Sequence, residues 1–425
     1  MYPPTAASFC VLLLTASPAF AQPPAIASTP LPAGPGWRAE RIHKSEGGVW
    51  YAHIDKVVDA YGQNEVIAGD DKGRLLLLTV YSGQWTAHSV VCDGQWLAPT
   101  CSSDVDPRVP GRELYAGGKS GTVHRVVLRR EPFARFHLES IEIGHAAGEE
   151  FHAVVAADLV PGGGEELLAF GITGATFQLS AEATGDAFTM RRVATLPGRV
   201  RNVVVEPGPG GGPASMFGVA RSGDWLRLQL RGDALHHEVL LHEDCGLGRI
   251  AKAKGLPGVF YLTRDDGVVL RVQIGAGGVV AREPIFAGGQ GLRGIASGRF
   301  FADGREAVAA YGYDKTVHLI ARAVGEWQVE TVFTSEQRGH WLAVGELDGR
   351  NGTDELIATG FDGEIVLLAR PPGYALPGVA VPEKERGDAA PPPVVTAQGR
   401  VITGMPPPHG FDVYRLVAAW LLHDR

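Results

Sequence analysis

The stretch DELIATGFDGEIVLL, residues 354–368, runs from an acidic anchor through an apolar strand and a glycine turn into a second apolar strand. The same order recurs at NEVIAGDDKGRLLLL (64–78), RELYAGGKSGTVHRVVL (112–128) and EELLAFGITGATFQL (165–179), and in weaker form from Ala214, from Val259 and around Glu306. A unit this short cannot bury both faces of its own sheet, so seven copies indicate a repeat protein in which neighbouring units cover one another.

A second pattern starts with a large apolar residue and ends five positions later on Ile, Val or Leu. Its seven copies begin at Trp37, Trp85, Phe133, Phe188, Leu235, Val280 and Trp327. Both patterns repeat about every 48 residues, and together they give four short strands per unit joined by tight turns. We therefore predict an all-β fold over residues 36–370, a seven-bladed β-propeller with four antiparallel strands per blade.

The two patterns are offset at the chain ends. The outer strand at Trp37 precedes the first inner strands, whereas the last inner strands end near Arg370 and no outer strand follows them. We expect residues 36–44 to complete the seventh blade beside residues 341–370, which would close the ring and leave no open sheet edge at the seam.

The segment AVGELDGRNGTDELIATGFDGEIVLL, residues 343–368, resembles the FG-GAP or VCBS repeat family of extracellular propellers. Members of this family, integrin α-chain heads among them, carry a D-x-D-G-D-G-x-x-D loop before an apolar strand. The resemblance covers roughly residues 45–370 and is strongest in blade 7. It implies the propeller fold and an extracellular location, but no single activity, because propellers include both binding proteins and enzymes.

The family loop often holds calcium through oxygen ligands at its first, third, fifth and ninth positions. Blade 7 has Glu346, Asp348, Arg350 and Asp354 there, and the arginine would repel a cation. The loops of blades 1 to 3 are also incomplete at these four positions. Blade 1 has Asp55, Val57, Asp59 and Gln63, blade 2 has Asp104, Asp106, Arg108 and Arg112, and blade 3 has Asp158, Val160, Gly162 and Glu166. We expect no calcium and no other cofactor. If a metal does bind, the candidate ligands are Glu346, Asp348 and Asp354. We expect the loop acids instead to accept hydrogen bonds from turn amides.

The N-terminus has the features of a signal peptide. Residues 7–15 are apolar, and Ala19-Phe20-Ala21 gives a small-x-small cleavage pattern, so residues 1–21 predict export to the periplasm or the medium. No apolar stretch is long enough to span a membrane. In an oxidising compartment a Cys92–Cys101 disulfide is plausible, and three buried free thiols (with Cys245) are an equal alternative.

The composition changes after Arg370. Residues 371–408 are rich in proline and predict a linker, and residues 411–425 have the apolar spacing of an amphipathic helix that docks on the propeller flank or on a partner. The net charge of −8 argues against a nucleic-acid partner. The chain contains no GxSxG, HExxH, Walker or CxxCH motif.

The first strand of each blade should line the central channel, and all seven should begin on the same face. The residues at these beginnings are aromatic or basic: Trp50 and Tyr51, Trp96, Phe151 and His152, Arg199 and Arg201, Arg249, Arg293, and His340 and Trp341. The only carboxylates that the sequence places nearby are Glu149 and Glu150. Either these side chains fill the channel mouth, with each arginine paired to a carbonyl or to an acid of the next blade, or they surround an anion.

The candidate ligand-binding residues are therefore Trp50, Tyr51, Trp96, His152, Arg201, Arg249, Arg293, His340 and Trp341. We interpret the chain as an exported, monomeric binding protein for an anionic small molecule or glycan, or for a protein partner. One alternative is a lyase acting on uronate polysaccharides, in which His152, His340 or Tyr51 would act as base and acid. Another is a scaffold for protein assembly.

Overall fold

A computed structural model describes residues 25–371, apart from the short segments 59–62, 82–83, 110, 132–134, 161, 163, 183–186, 209, 211, 276 and 348–351, together with residues 394–395 and 401–402. The chain divides into one unit up to Tyr374 and a second from Ala375. The predicted signal peptide at 1–21 and the predicted helix at 411–425 lie outside the described residues, as do Asp59, Asp348 and Arg350.

The first unit consists of strands arranged in seven sheets. Three strands come first: β1 (Ala25–Ile26), β2 (Thr29–Leu31) and β3 (Arg38–Lys44). Blade 1 contains β4 (Val49–Asp55), β5 (Glu65–Asp70), β6 (Arg74–Tyr81) and β7 (Gln84–Val91), and blade 2 contains β8 (Leu97–Ser103), β9 (Glu113–Gly118), β10 (Thr122–Glu131) and β11 (Arg135–His145). Blade 3 contains β12 (Phe151–Ala157), β13 (Glu166–Gly171), β14 (Ala175–Ala181) and β15 (Phe188–Thr195).

The remaining blades repeat this order. Blade 4 contains β16 (Val200–Glu206), β17 (Ser215–Ala220), β18 (Asp224–Arg231) and β19 (Ala234–His242), and blade 5 contains β20 (Leu247–Lys252), β21 (Val259–Arg264), β22 (Val268–Gly275) and β23 (Gly278–Ala287). Blade 6 contains β24 (Leu292–Ser297), β25 (Ala307–Gly312), β26 (Thr316–Ala323) and β27 (Glu326–Thr334), and blade 7 contains β28 (Gly339–Gly345), β29 (Glu355–Gly360) and β30 (Glu364–Ala369). In the second unit, β31 (Val394–Val395) pairs with β32 (Val401–Ile402). No α-helix occurs among the described residues, and so no segment there meets the length and hydropathy that a helical membrane crossing requires.

The ring closes as the sequence predicted. Strand β3 pairs antiparallel with β30 and supplies the fourth strand of blade 7. Ile42 of this strand is fully buried, and the indole Nε1 of Trp37 donates a hydrogen bond of 2.6 Å to Glu330 of blade 6. Short strands β1 and β2 add to the outer edges of blades 1 and 7, so the N-terminal segment covers both sides of the seam.

Burial follows each strand's position in its blade. The second strands of blades 1, 2, 6 and 7 are buried at every residue, because a neighbouring blade covers each of their faces. The fourth strands at the rim keep exposed positions, as in β19 and β23. The hydrophobic core therefore consists of clusters between adjacent blades, such as the one that joins blade 7 to blade 1.

The turn between the second and third strands requires a left-handed residue. Six blades use glycine there at positive φ: Gly73, Gly121, Gly174, Gly223, Gly267 and Gly363. Blade 6 instead has Lys315 at a φ of 68°. Glycine is the ordinary choice because a side chain strains this conformation, which explains why the glycine turn was so clear a repeat signal in the sequence.

The loops between the first and second strands are held by glutamate. At the start of the second strand, Glu65 accepts from the backbone N–H of Val57 at 2.7 Å, and Glu355 does the same for Leu347 at 2.7 Å. Glu166 accepts from Leu159 at 2.7 Å. For Glu166 this confirms the prediction that the loop acids bind turn amides.

Candidate functional site

The seven first strands stand side by side around the channel, each packed against the first strands of both neighbouring blades. Their beginnings share one face with the turns that follow the second strands. In six blades the residue after the second strand donates its N–H to the carbonyl just before the first strand, for example Arg221 to Arg199 at 3.0 Å and Phe361 to Arg338 at 3.1 Å. We call this face, where the first strands begin, the channel mouth.

A β-bulge interrupts the register at the beginning of every first strand. In six blades the bulged positions include a predicted binding residue: Trp50, His152, Arg201, Arg249, Arg293 and His340. In blade 2 the bulge spans Ala98 and Pro99 instead. A bulge frees a residue from the ladder and redirects its side chain, so each blade has one or two residues without a ladder partner at the mouth.

The predicted residues do converge. Arg199 donates to the imidazole of His152 at 3.0 Å, which joins blades 4 and 3. The rings of Trp96 and His152 have centroids 5.1 Å apart, which joins blades 2 and 3. Between blades 7 and 1, the His340 and Trp50 rings meet edge to face at 4.5 Å. These contacts join blades 2, 3 and 4 to one another, and they separately join blade 7 to blade 1.

Asp265 is a carboxylate at the mouth that the sequence analysis missed. It lies in the turn after the second strand of blade 5, and it accepts from Arg201 of blade 4 at 2.8 Å and from Arg293 of blade 6 at 2.5 Å. Burial opposes ionisation of Asp265, but the two arginines outweigh it and lower its pKa. Arg201 and Arg293 therefore pair with an acid of the neighbouring blade, as the first of the two interpretations expected.

Arg249 is different. Its guanidinium donates to the carbonyl of Gly248 at 2.9 Å and lies 4.9 Å from the ring centroid of Trp341, two blades away, so it reaches across the mouth. No carboxylate of the described residues forms an ion pair with it. Burial, reinforced by the nearby positive charges of Arg293, Arg201 and Arg199, lowers the pKa of Arg249 to about 9.

The two histidines are neutral at pH 7. Burial and the charges of Arg199, Arg249 and Arg201 lower the pKa of His152 to about 3, and burial and Arg249 lower that of His340 well below its ordinary value. Because Arg199 donates to Nδ1 of His152, the proton of that ring is on Nε2. Nδ1 of His340 lies 2.8 Å from the carbonyl oxygen of Trp50, so it carries the proton and donates.

Aromatic rings form one side of the mouth. Tyr51 packs on Trp341 with ring centroids 4.1 Å apart, and Trp50 contacts Phe361 at 4.8 Å. Phe361 lies in the turn after the second strand of blade 7 and is 38 % exposed, which is high for such a side chain. Burial raises the pKa of Tyr51 far above its ordinary value, so its hydroxyl stays protonated.

Four buried N–H groups at the mouth have no acceptor among the described residues. They are Trp50 Nε1, His152 Nε2, Arg199 Nε and Arg249 Nε. The carboxylate nearest to His152 Nε2 is that of Glu150, at 3.8 Å, which is beyond hydrogen-bond distance. Buried donors without acceptors are costly, so these four positions call for water or for an acceptor supplied by a ligand.

Two of the three metal candidates, Glu346 and Asp354, lie among the described residues. Asp354 accepts the backbone N–H of Arg299 at 2.6 Å and lies 3.7 Å from the ammonium of Lys254. The backbone carbonyl of Glu346 accepts from Asn64 at 2.6 Å, and Asp348 lies outside the described residues. Within the part of the chain that the structure describes, no group of three potential ligands is positioned to hold a metal ion.

Of the two alternatives for the cysteines, the structure has the free thiols and not the Cys92–Cys101 bridge, because Cys92, Cys101 and Cys245 are all free. Cys92 packs against the core between blades 1 and 2, whereas Cys101 packs against the core between blades 2 and 3. Burial raises the pKa of Cys92 to about 11 and that of Cys101 to about 12. The nine-residue spacing was compatible with a disulfide, but the two side chains belong to different inter-blade cores.

A cavity of about 750 Å³ lies between blades 4 and 5, away from the mouth. Its lining includes Phe217, Arg227, Lys252, Leu256 and Ile274. Arg227 is paired with Glu238 at 2.9 Å, and Lys252 lies 3.4 Å from a backbone carbonyl. Arg227 thus has a carboxylate partner, which Arg249 lacks among the described residues.

No protein-family model matches the chain, and no curated protein matches it in sequence. Two solved structures are similar to it in fold. The WD40 β-propeller domain of Doa1 is 14 % identical, with a TM-score of 0.54 over 79 % of this chain and 98 % of that one. BBS1N, solved in complex with ARL6DN, is 12 % identical, with a TM-score of 0.55 over 82 % of this chain and 98 % of that one. At these identities the likeness shows the seven-bladed propeller fold alone.

Proposed function

We propose that the channel mouth binds an anionic ligand, and that this ligand is a carboxylate-bearing molecule such as an acidic glycan. The observation that carries this proposal is the set of four buried N–H groups without acceptors, on Trp50, His152, Arg199 and Arg249. All four are donors, so the group that satisfies them must be an acceptor. A carboxylate supplies two acceptor oxygens and a negative charge together.

The charge distribution supports an anion at Arg249 and Arg199 in particular. Asp265 already neutralises part of the charge on Arg201 and Arg293, whereas Arg249 is paired with no carboxylate of the described residues. The lowered pKa of Arg249 reflects burial beside other guanidinium groups. A bound carboxylate would relieve this repulsion and would match the planar fork of the guanidinium with two parallel hydrogen bonds.

The aromatic rings support a glycan as the bearer of the carboxylate. Trp341 lies against the Arg249 guanidinium, and Trp50 contacts Phe361 at the same mouth. Flat apolar faces next to a few oriented polar groups are typical of small-ligand sites. The C–H faces of a sugar ring fit such surfaces. Export, which residues 1–21 predict, would bring the protein to extracellular glycans, and we include it in the proposal.

We propose binding in preference to lyase chemistry. A base must offer a free lone pair, but Nδ1 of His152 accepts from Arg199 and its Nε2 carries the proton. The pKa of His340 is lowered by burial, which makes this ring a poor base, and the raised pKa of Tyr51 disfavours its phenolate. These contacts favour a site that holds its ligand without cleaving it.

We also propose that the blades are repeats of the FG-GAP or VCBS type, on the strength of residues 343–368 and of the glutamates that bind the loop amides in blades 1, 3 and 7. A protein partner at the mouth is the competing proposal. BBS1N was solved with a protein bound, but that concerns BBS1N, and the unpaired donors here favour an acceptor-rich ligand.

The proposal is tested by titrating the full chain with trigalacturonate, following tryptophan fluorescence or heat. We expect binding that weakens as salt rises, because exposed charges are screened within ~8 Å at physiological ionic strength. Arg249→Met should abolish it. Arg192→Ala removes a positive charge from the exposed fourth strand of blade 3 and should leave binding unchanged.

Two outcomes would overturn the proposal: no binding by the wild type, or undiminished binding by Arg249→Met. Products that absorb in the near ultraviolet after incubation with polygalacturonate would show the lyase instead, since elimination leaves a conjugated double bond.

A further inference from the structure

Two exposed arginines flank the channel mouth on opposite sides. Arg221 lies in the turn after the second strand of blade 4, and Arg338 lies just before the first strand of blade 7. In the part of the chain that the structure describes, neither guanidinium is paired with a carboxylate.

Arg221 lies next to Arg199 on the blade 4 side of the mouth. Its backbone N–H donates to the carbonyl of Arg199 at 3.0 Å. Burial, followed by the charge of Arg201, lowers the pKa of Arg199 to about 10, and the charge of Arg221 lies close enough to add to this effect. Arg221 is therefore a neighbour of the proposed carboxylate site, not a distant surface residue.

Arg338 lies on the blade 7 side of the mouth, and it contacts the same ring as Arg293, that of Tyr313 in blade 6. The guanidinium carbons of Arg293 and Arg338 lie 5.2 and 5.1 Å from the centroid of this ring. The two carbons are thus no more than about 10 Å apart by way of the ring. The cation–π contacts hold both guanidinium groups beside one aromatic face or edge.

The result is a row of cations across the mouth, from blade 4 to blade 7. In order it consists of Arg221, Arg199, Arg249, Arg293 and Arg338. A single carboxylate can engage one or two of these groups, and the outer ones would remain unpaired. Asp265 pairs with Arg293, whereas no ion pair to a carboxylate of the described residues is formed by Arg199, Arg221, Arg249 or Arg338.

We propose that this row binds an extended polyanion, a linear uronate oligomer, whose inner carboxylate sits at Arg249 and whose outer carboxylates sit at Arg221 and Arg338. This inference rests on the proposed function and adds that the ligand is extended and carries several carboxylates. A glycan is favoured over an acidic peptide because aromatic rings line the same path: Tyr313 and Phe361 have centroids 5.8 Å apart, and Phe361 also contacts Trp50.

The test is a chain-length series. The affinity of the full-length protein for galacturonate monomer, dimer, trimer and hexamer is measured by calorimetry at fixed ionic strength. We expect the affinity of the wild type to rise from monomer to hexamer. Arg221→Ala and Arg338→Ala should each weaken hexamer binding by about two- to fivefold, the range for one exposed ion pair, and leave monomer binding unchanged.

Arg192→Ala is the matched control, since it removes an exposed arginine at the circumference, and it should change neither affinity. Thermal melts of all variants check folding, and Arg221→Gln and Arg338→Gln repeat the measurement with side chains of similar length. Both substituted residues are exposed, so we expect no change in Tm.

The outcomes separate the two proposals. If monomer and hexamer bind equally well, or if Arg221→Ala and Arg338→Ala leave hexamer binding intact, the extended site is refuted and the carboxylate site stands. If neither sugar binds, the proposed function itself fails. If a polyglutamate peptide of equal charge binds more tightly than the hexamer, the assignment to a glycan is overturned.

Discussion

Replacing Arg249 should abolish binding without weakening the fold. Arg249 is held at the mouth by the carbonyl of Gly248 and the ring of Trp341, but it is surrounded by Arg199, Arg201 and Arg293. In Arg249→Met the aliphatic stem is kept and the charge is removed. An arginine held among other arginines for binding destabilises the folded protein. Replacing it should therefore remove binding without lowering the free energy of unfolding.

The expected size follows from the pKa of Arg249. A value of about 9 instead of the ordinary 12.5 corresponds to roughly 4–5 kcal/mol of unfavourable free energy for holding the charge at this place. Against this, Arg249→Met loses a cation–π contact of up to about 2 kcal/mol and a charged hydrogen bond of about 1.5–3 kcal/mol. The balance lies between a loss of about 1 kcal/mol and a gain of about 3 kcal/mol, so we expect Tm to stay within about 2 °C of the wild type or to rise by a few degrees.

Differential scanning calorimetry with and without ligand measures both effects. For the wild type, trigalacturonate at a hundred times its dissociation constant should add about 2.7 kcal/mol to the free energy of unfolding, which raises Tm by several degrees. Arg249→Met should show no such rise, and Arg192→Ala should behave like the wild type. A Tm lower than that of the wild type by more than about 3 °C in Arg249→Met would refute the reasoning and identify Arg249 as a structural residue.

Three further predictions concern the ring, a buried acid and metal binding. Deleting residues 22–44 removes β3 with the buried Trp37 and Ile42, so we expect a loss of about 3–6 kcal/mol, and an unchanged melt would refute the closure. Burial raises the pKa of Glu65 from 4.5 to about 7, so the folded state retains a proton that the unfolded state loses. The free energy of unfolding should thus fall as pH rises from about 5 to 7. Urea melts of Glu65→Gln should show a smaller fall over this pH range, and a fall as large as that of the wild type would contradict the prediction. Excess EDTA should leave Tm unchanged, because no group of three potential ligands among the described residues is placed to hold a metal ion, and a clear drop would show a bound metal.

The fold was largely predictable because its signals are local. The acidic anchor, the two apolar strands and the turn between them lie within about 15 residues of one another in each blade, and the offset of Trp37 against Arg370 predicted the closure. The bulges explain why the predicted binding residues lie at the mouth. Alternation alone leaves it open whether Trp50 or Tyr51 faces the channel, and the bulge allows both to reach it.

Contacts between blades were the part that sequence patterns did not reveal. Asp265 lies 64 positions from Arg201, and nothing in the turn RDDG distinguishes it from an ordinary turn acid. Its position on the mouth face could have been inferred, because the turn after a second strand returns to the face where the first strand begins. The separate packing of Cys92 and Cys101 likewise depends on which inter-blade core each side chain enters.

The most direct test of the central claim is a crystal structure of the full chain with trigalacturonate bound. We predict a uronate carboxylate within hydrogen-bond distance of the Arg249 guanidinium, with the N–H groups of Trp50 and His152 directed at ligand oxygens or at waters bridging to them. A carboxylate bound instead in the cavity between blades 4 and 5, beside Arg227 and Lys252, or a mouth that stays free of sugar at saturating ligand, would contradict the claim.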